Sequence, residues 1–113
     1  MKIRKKETVC EWIGVKPDRP ISDSIVGLAI DSLNNGLIHG LRHPAEKNTN
    51  GWYIWSGDFK ETDDFFSPVC IKHLDNYIKT DLTEYLDLPA GYRFLIDGNN
   101  YEDVWFDESL LNI

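Results

Sequence analysis

Residues 51–64 read GWYIWSGDFKETDD. The run Trp52-Tyr53-Ile54-Trp55 is aromatic and β-branched, and such side chains suit a pleated, half-buried surface. Ser56-Gly57 breaks it, and a polar run holding Asp58, Glu61, Asp63 and Asp64 follows. The stretch predicts a strand that delivers a mobile acidic loop to the domain surface. Neighbouring residues of a strand point to opposite faces. Trp52 and Ile54 therefore share one face, and Tyr53 and Trp55 share the other. One face packs the core. The other is covered by helix or loop, or stays open as a binding patch.

Upstream, residues 25–30 (IVGLAI) form a short continuous apolar run, which suits a buried strand and is short for a helix. Residues 31–36 follow as a turn with room for one helical turn, closed by Gly36. Residues 37–41 read as a second strand. A polar connector runs from His43-Pro44 to Asn50-Gly51, a favourable tight-turn pair. The first half thus predicts a small antiparallel meander. Residues 1–24 read as an irregular lead-in in which Val9, Trp12, Ile13 and Val15 form a short strand or turn, ended by Lys16-Pro17-Asp18-Arg19-Pro20.

Downstream, Ile71, Leu74, Ile78, Leu82, Tyr85 and Leu86 recur at helical spacing. Ser67-Pro68 suits a helix opening, with Ser as cap and Pro in the first turn. Thr80 offers a second cap dividing two short helices, and Leu88-Pro89-Ala90-Gly91 ends them. Residues 92–96 and 101–106 then form a hairpin across Asp97-Gly98-Asn99-Asn100. The expected fold is a single α+β domain over residues 1–113. It has a mainly antiparallel sheet of about five strands, with one or two helices packed on one face.

A chain of 113 residues, 42% apolar and 12% aromatic, can build its own core without disulfides or metal. The net charge of −7 is unevenly placed. Residues 1–56 hold eight Lys/Arg against six Asp/Glu, and residues 57–113 hold four against thirteen, giving +2 and −9. Such an acidic half disfavours nucleic acid and anionic membrane, which both require clustered cations. It favours a basic protein partner, or serves solubility alone. Cys10 and Cys70 form no CxxC pair. No apolar run is long enough to span a bilayer, and no signal-peptide pattern follows the basic start. These features predict a soluble cytoplasmic protein with reduced thiols.

The usual chemical signatures are missing. The acidic loop lacks the ordered oxygen pattern of a calcium loop, and so does the 97–100 turn. His39 and His43, four apart on an extended chain, stand roughly 13 Å apart at about 3.3 Å per residue, too far for one zinc. There is no GxSxG, Walker loop or GxGxxG. Cys70 is either a thiol activated at a helix N-terminus or a small buried apolar residue. No metal, cofactor or catalytic residue is expected. The aromatics point instead to recognition. Tyr101, Asp103 and Trp105 alternate onto one strand face, and facing outward they would place aromatic anchors beside a carboxylate, as in an interface hot spot.

Gly51-Trp52-x-x-x-Ser56-Gly57-Asp58, the acidic residues after it, the 71–86 stretch, Leu88-Pro89-x-Gly91-Tyr92-Arg93-Phe94-Leu95 and Tyr101-Glu102-Asp103-Val104-Trp105 together resemble a family of small bacterial immunity proteins. This is the thirty-third numbered immunity family of polymorphic-toxin systems, with a closely similar group of uncharacterised domains. The resemblance runs from about residue 25 to the C-terminus. It implies a non-catalytic cytoplasmic protein that binds and blocks a cognate toxin. With the residue chemistry, it predicts partner-binding roles for Trp55, Asp58, Glu61, Asp63, Asp64, Tyr101, Asp103 and Trp105, facing a toxin of basic character such as a nuclease. The competing reading is an adaptor or small-ligand-binding module unrelated to toxins.

Overall fold

A computed structural model of the chain describes residues 7–33, 36–97 and 101–112. Six strands form one mixed sheet: β1 (Ile25–Leu28), β2 (Ile38–Arg42), β3 (Thr49–Ser56), β4 (Ser67–Cys70), β5 (Tyr92–Ile96) and β6 (Glu102–Phe106). Their spatial order is β4-β1-β3-β2-β5-β6. Every neighbouring pair is antiparallel except β1 and β3, which run parallel. The α+β class and the mainly antiparallel sheet agree with the sequence reading. The meander does not. β1 lies beside β3 and not β2, because β2 is paired on both edges, with β3 and with β5; Val26 and Leu28 of β1 are fully buried there.

The turn expected at Asn50-Gly51 is also displaced. The chain reverses at Lys47, with φ of 54°, closed by a bridge between Glu46 and Thr49. Asn50 and Gly51 lie inside β3, where the register against β1 slips between Ile25 and Gly27. Gly51 has φ of 89° at this bulge, and its carbonyl accepts from His43 N at 2.9 Å. A Cβ added there would run into the His43 carbonyl. The glycine serves a bulge rather than a hairpin turn. In the 97–100 turn, residues 98–100 lie outside the described residues, as do Asn34 and Asn35 of the earlier turn. The hairpin strands themselves form as expected, and Asp97 Oδ1 accepts from Tyr101 N at 3.1 Å.

Two further expectations change. Within the lead-in, Val9–Ile13 is a five-residue α-helix, α1, instead of a strand or turn. Thr8 Oγ1 accepts from Glu11 N, and Glu11 Oε1 accepts from Thr8 N, a reciprocal capping box. Gly14, left-handed at φ of 84°, ends it. Between Ser67 and Leu88 no α-helix forms. Ser67-Pro68 opens edge strand β4, where a proline costs no ladder hydrogen bond. Ile71 N is then drawn to Ser24 O at 2.9 Å. The chain continues as a 3-10 segment Ile71–Asn76, an irregular run and a 3-10 turn Tyr85–Asp87. Thr80 caps nothing here. Asp81 accepts from Thr83 N and Thr83 Oγ1 at 3.0 and 2.6 Å, a local turn that competes with helix.

This irregular cover still buries Leu74, Ile78, Leu82, Tyr85, Leu86 and Leu88 against Trp52, Ile54, Phe94 and Ile96 of the sheet. Each such fully buried side chain is worth ~1.5–3 kcal/mol. The pair Lys72–Asp23 is solvent-exposed and screened, so it adds little, and burial decides the fold. Trp52 Nε1 donates to Leu86 O at 3.0 Å, fastening the cover to the sheet. Arg42 fastens it again. Although only 4% exposed, it donates from Nε to Asn50 O at 2.9 Å and from Nη1 to Asp18 O and Leu88 O, both at 2.7 Å. Its guanidinium lies 5.7 Å from the Trp52 ring centre.

Two glycine substitutions separate backbone strain from steric overlap. Gly14→Ala meets only the left-handed conformation, since nothing lies near its added Cβ, and should cost about 1 kcal/mol. Gly51→Ala adds the overlap with His43 O and should cost clearly more, at least ~2 kcal/mol. Urea denaturation of both variants checks this. Equal losses would show that the bulge does not hold His43 and Gly51 as described.

Candidate binding face

The strand register lays out the face opposite the core. Across the sheet, Trp55 pairs with His39, His39 with Leu95, and Leu95 with Asp103. One step along, Tyr53 pairs with Leu41, Leu41 with Arg93, and Arg93 with Trp105. The sheet thus brings Trp55, Asp103 and Trp105 onto one face, a grouping set by the strand register that alternation within each strand does not specify. Tyr101, just before β6, is half-buried. Asp103 is exposed and Trp105 is 38% exposed.

Trp55 is placed differently from an exposed anchor. It is 4% exposed and stacks on His39, with ring centres 4.9 Å apart and planes 2° from parallel. Phe59 and Phe66 meet its ring edge-on at 5.4 and 6.0 Å, and Phe66 also packs on Tyr53. Phe65 joins them at 4.8 Å from Phe66 and 5.5 Å from Phe59. The acidic loop thus packs on β3 through Phe59 and Phe66, with Phe65 against both of them. The signal lay in the sequence, where Phe59, Phe65 and Phe66 interrupt the acidic run.

Asp58, Glu61, Asp63 and Asp64 are all exposed on this loop. Asp58 and Asp64, with Asp31 and Lys60, line a polar cavity of about 530 Å³, while Glu61 and Asp63 lie outside it. Ser32 Oγ forms its base, donating to Ala29 O and accepting from Ser56 N. Among the described residues no three His, Cys, Asp or Glu side chains are grouped to hold a metal ion.

Trp105 has a fixed support. The Arg93 guanidinium lies 5.6 Å from its ring centre and pairs through Nη1 with Asp107 at 3.0 Å. Asp107 in turn accepts from Ser109 Oγ and Ser109 N at the start of the 3-10 turn Glu108–Leu111. The Ser109 hydroxyl first, and then Arg93, hold the Asp107 carboxyl below its usual range. His43 Nδ1 donates to Leu110 O at 2.9 Å, and the ring packs edge-on against Tyr53. His39 and His43 thus serve separate structural contacts. Among the described residues, two buried side-chain nitrogens lack a hydrogen-bond partner, Trp55 Nε1 and Arg93 Nε, and both residues belong to this face.

The cysteines lie elsewhere. Cys10 is buried in α1, and burial first, then Asp87 and Glu84, push its thiol up. Cys70 ends β4 and donates to Ser22 O at 3.8 Å, and no α-helix begins there to polarise it.

The mixed sheet is thus covered on one side and bears a supported aromatic patch on the other. The Imm33-like domain family matches residues 5–107, and the chain belongs to this family of immunity proteins. The match takes in most of the lead-in as well as the sheet. No curated protein and no solved structure matches the chain. Among the described residues, no helix is long and apolar enough to cross a membrane.

Burial first, and then the Arg93 charge, push the His39 imidazole below its ordinary value of 6.5, with Asp58 opposing. The folded chain thus prefers neutral His39, while the unfolded chain takes up a proton near 6.5. The resulting stability is fully present above that value and is lost as pH falls through the lower folded value. Thermal melts from about pH 7.5 down to about pH 5.5 should show a smaller decline for His39→Gln than for the parent chain. Parallel declines would mean that His39 is not held neutral against Trp55.

Proposed function

We propose that this chain is a non-catalytic, cytoplasmic immunity protein that neutralises a cognate toxin by occluding it with the aromatic sheet face. Membership of the immunity family implies a toxin partner in general. The observation that carries the finer reading is Trp105, large, partly exposed and held in place by Arg93, next to exposed Asp103. Trp105 and Tyr101 are the anchors on the open face. Trp55 acts from beneath, setting the loop through Phe59 and Phe66. Phe59, 51% exposed, extends the patch toward the loop.

Asp58, Glu61, Asp63, Asp64 and Asp103 supply a negative rim around these rings. Rim charges mainly raise the association rate, whereas desolvated aromatics hold the complex. An acidic rim selects a basic toxin surface, the kind found on proteins that act on nucleic acid. Occlusion requires no bond making on the immunity side, which accords with a face of aromatic and carboxylate groups.

The partner is obtained by co-purification from the native host. Against it, the combined Asp58→Asn, Glu61→Gln, Asp63→Asn and Asp64→Asn variant should associate about tenfold more slowly at low salt, and the difference should fade at high salt. Trp105→Ala should accelerate dissociation and weaken affinity by at least about 30-fold. Unchanged association across salt removes the acidic loop from the interface. Unchanged affinity in Trp105→Ala removes this face.

A further inference from the structure

We propose that the cavity between residues 18–24 and the 45–50 turn is a binding site for a carboxylate on a small apolar body, with Arg42 in its wall and Lys47 at its rim. The cavity holds about 360 Å³ and is lined by Pro20, Ile21 and Ala45 together with these two cations. That volume falls at the small end of ligand sites, which are mostly apolar with a few placed polar groups. It borders the Thr49 end of β3, whereas the acidic loop leaves from the Ser56 end, roughly 25 Å away at about 3.3 Å per residue. The site stands independently of the toxin reading.

The unspent groups define the ligand. Arg42 uses Nε and Nη1 on three carbonyls, and its Nη2 makes no hydrogen bond among the described residues. Nη2 is not among the buried nitrogens that lack a partner, so its two N–H groups reach accessible space, where an anionic acceptor can take the place of water. The other polar side chains nearby are engaged. Asn50 Nδ2 donates to Ser24 Oγ and Asn50 Oδ1 accepts from Trp52 N, at 3.0 Å each, while Ser24 Oγ donates to Ile21 O. Asp23 pairs with Lys72 at 3.0 Å and Arg19 with Asp87 at 3.2 Å. Lys47, exposed, forms no ion pair among the described residues. Arg42 and Lys47 against Asp18 leave one positive charge in excess, on a chain of net −7. One excess charge and apolar walls suit a singly charged carboxylate. A dianionic phosphate would lose more hydration than two cations return.

The test uses the labelled whole chain, followed by amide and arginine side-chain resonances, titrated with 3-phenylpropionate and with its neutral amide. The acid should produce saturable shifts confined to Arg42, Ser24 and residues 47–50, with a Kd on the order of 1 mM. The neutral amide should bind at least about 5-fold more weakly. Lys47→Asn, chosen because Asn tolerates the left-handed backbone there, should weaken the acid about 3-fold and leave the neutral amide unchanged. An absent response, or equal response to acid and amide, overturns the site. Acid binding untouched by Lys47→Asn overturns the proposed rim.

Discussion

A guanidinium that pairs with no carboxylate among the described residues fastens the two layers of this domain together. Arg42 sits at the end of β2, stacked near Trp52, and its nitrogens bind carbonyls from the lead-in, the β3 bulge and the end of the irregular cover. Its own carbonyl accepts from Gly91 N at 2.8 Å, just where the chain re-enters the sheet as β5. Burial pulls Arg42 down from its ordinary value, and the charges of Asp18 and Asp87 oppose that. Arginine is the suitable residue here, because its ordinary value lies so high that it keeps its charge through such desolvation. The need arises from the kind of cover the sheet has. A long helix satisfies its own carbonyls. A chain of 3-10 turns and irregular links does not, so those carbonyls must find donors elsewhere.

The same economy makes the two sheet faces different. On the core side, Phe94 lies against Gly40, where an added Cβ would overlap its ring, and reaches Trp52 and Tyr85. On the opposite side, Tyr53 lies across Gly27, with a would-be Cβ only 2.6 Å from the ring. Each glycine lets an aromatic ring lie flat on its neighbouring strand. The core side is then closed by the cover. The opposite side is covered over Trp55 and Tyr53 by the phenylalanines of the acidic loop, while Asp103 and Trp105 at the β5–β6 end stay exposed.

The sequence was legible where a local rule matched the final environment. Residues 52–55 and 101–106 alternate faces as read, because both strands have two distinct sides and the pleat has no other way to arrange them. The parallel contact of β1 with β3 was hidden because it depends on β2 pairing with the far side of β3 and with β5, which residues 25–28 do not announce. The 71–86 stretch misled for a physical reason. Spacings of three and four also arise when a chain of tight turns lays successive apolar side chains onto a flat sheet. In α1 the opposite holds, since Thr8 and Glu11 announce a helix start that the short, proline-punctuated context obscured. Of the candidate interface residues, alternation put Asp103 and Trp105 on one face of their strand, but only the register across β3, β2, β5 and β6 brings Trp55 to that same face. Alternation could not say that Trp55 would be covered, because that results from Phe59 and Phe66 folding back.

How Trp105 is held bears on what its face can do. A surface tryptophan free to change rotamer loses conformational entropy on binding, which subtracts from the contact it makes. Here the ring has a guanidinium against it, the guanidinium is paired with Asp107, and Asp107 is fixed by Ser109 in the next turn. This chain of contacts, partly shielded and each weak alone, orders the anchor before any partner arrives. Among the described residues, the side chains of Asp58, Glu61, Asp63 and Asp64 make no hydrogen bond or ion pair, although the loop backbone is held through Phe59 and Phe66. They suit a task that needs charge at long range rather than fixed geometry. Under the proposed function, attraction and anchoring would fall to two parts of one face, and affinity and association rate would then vary separately by substitution at either part.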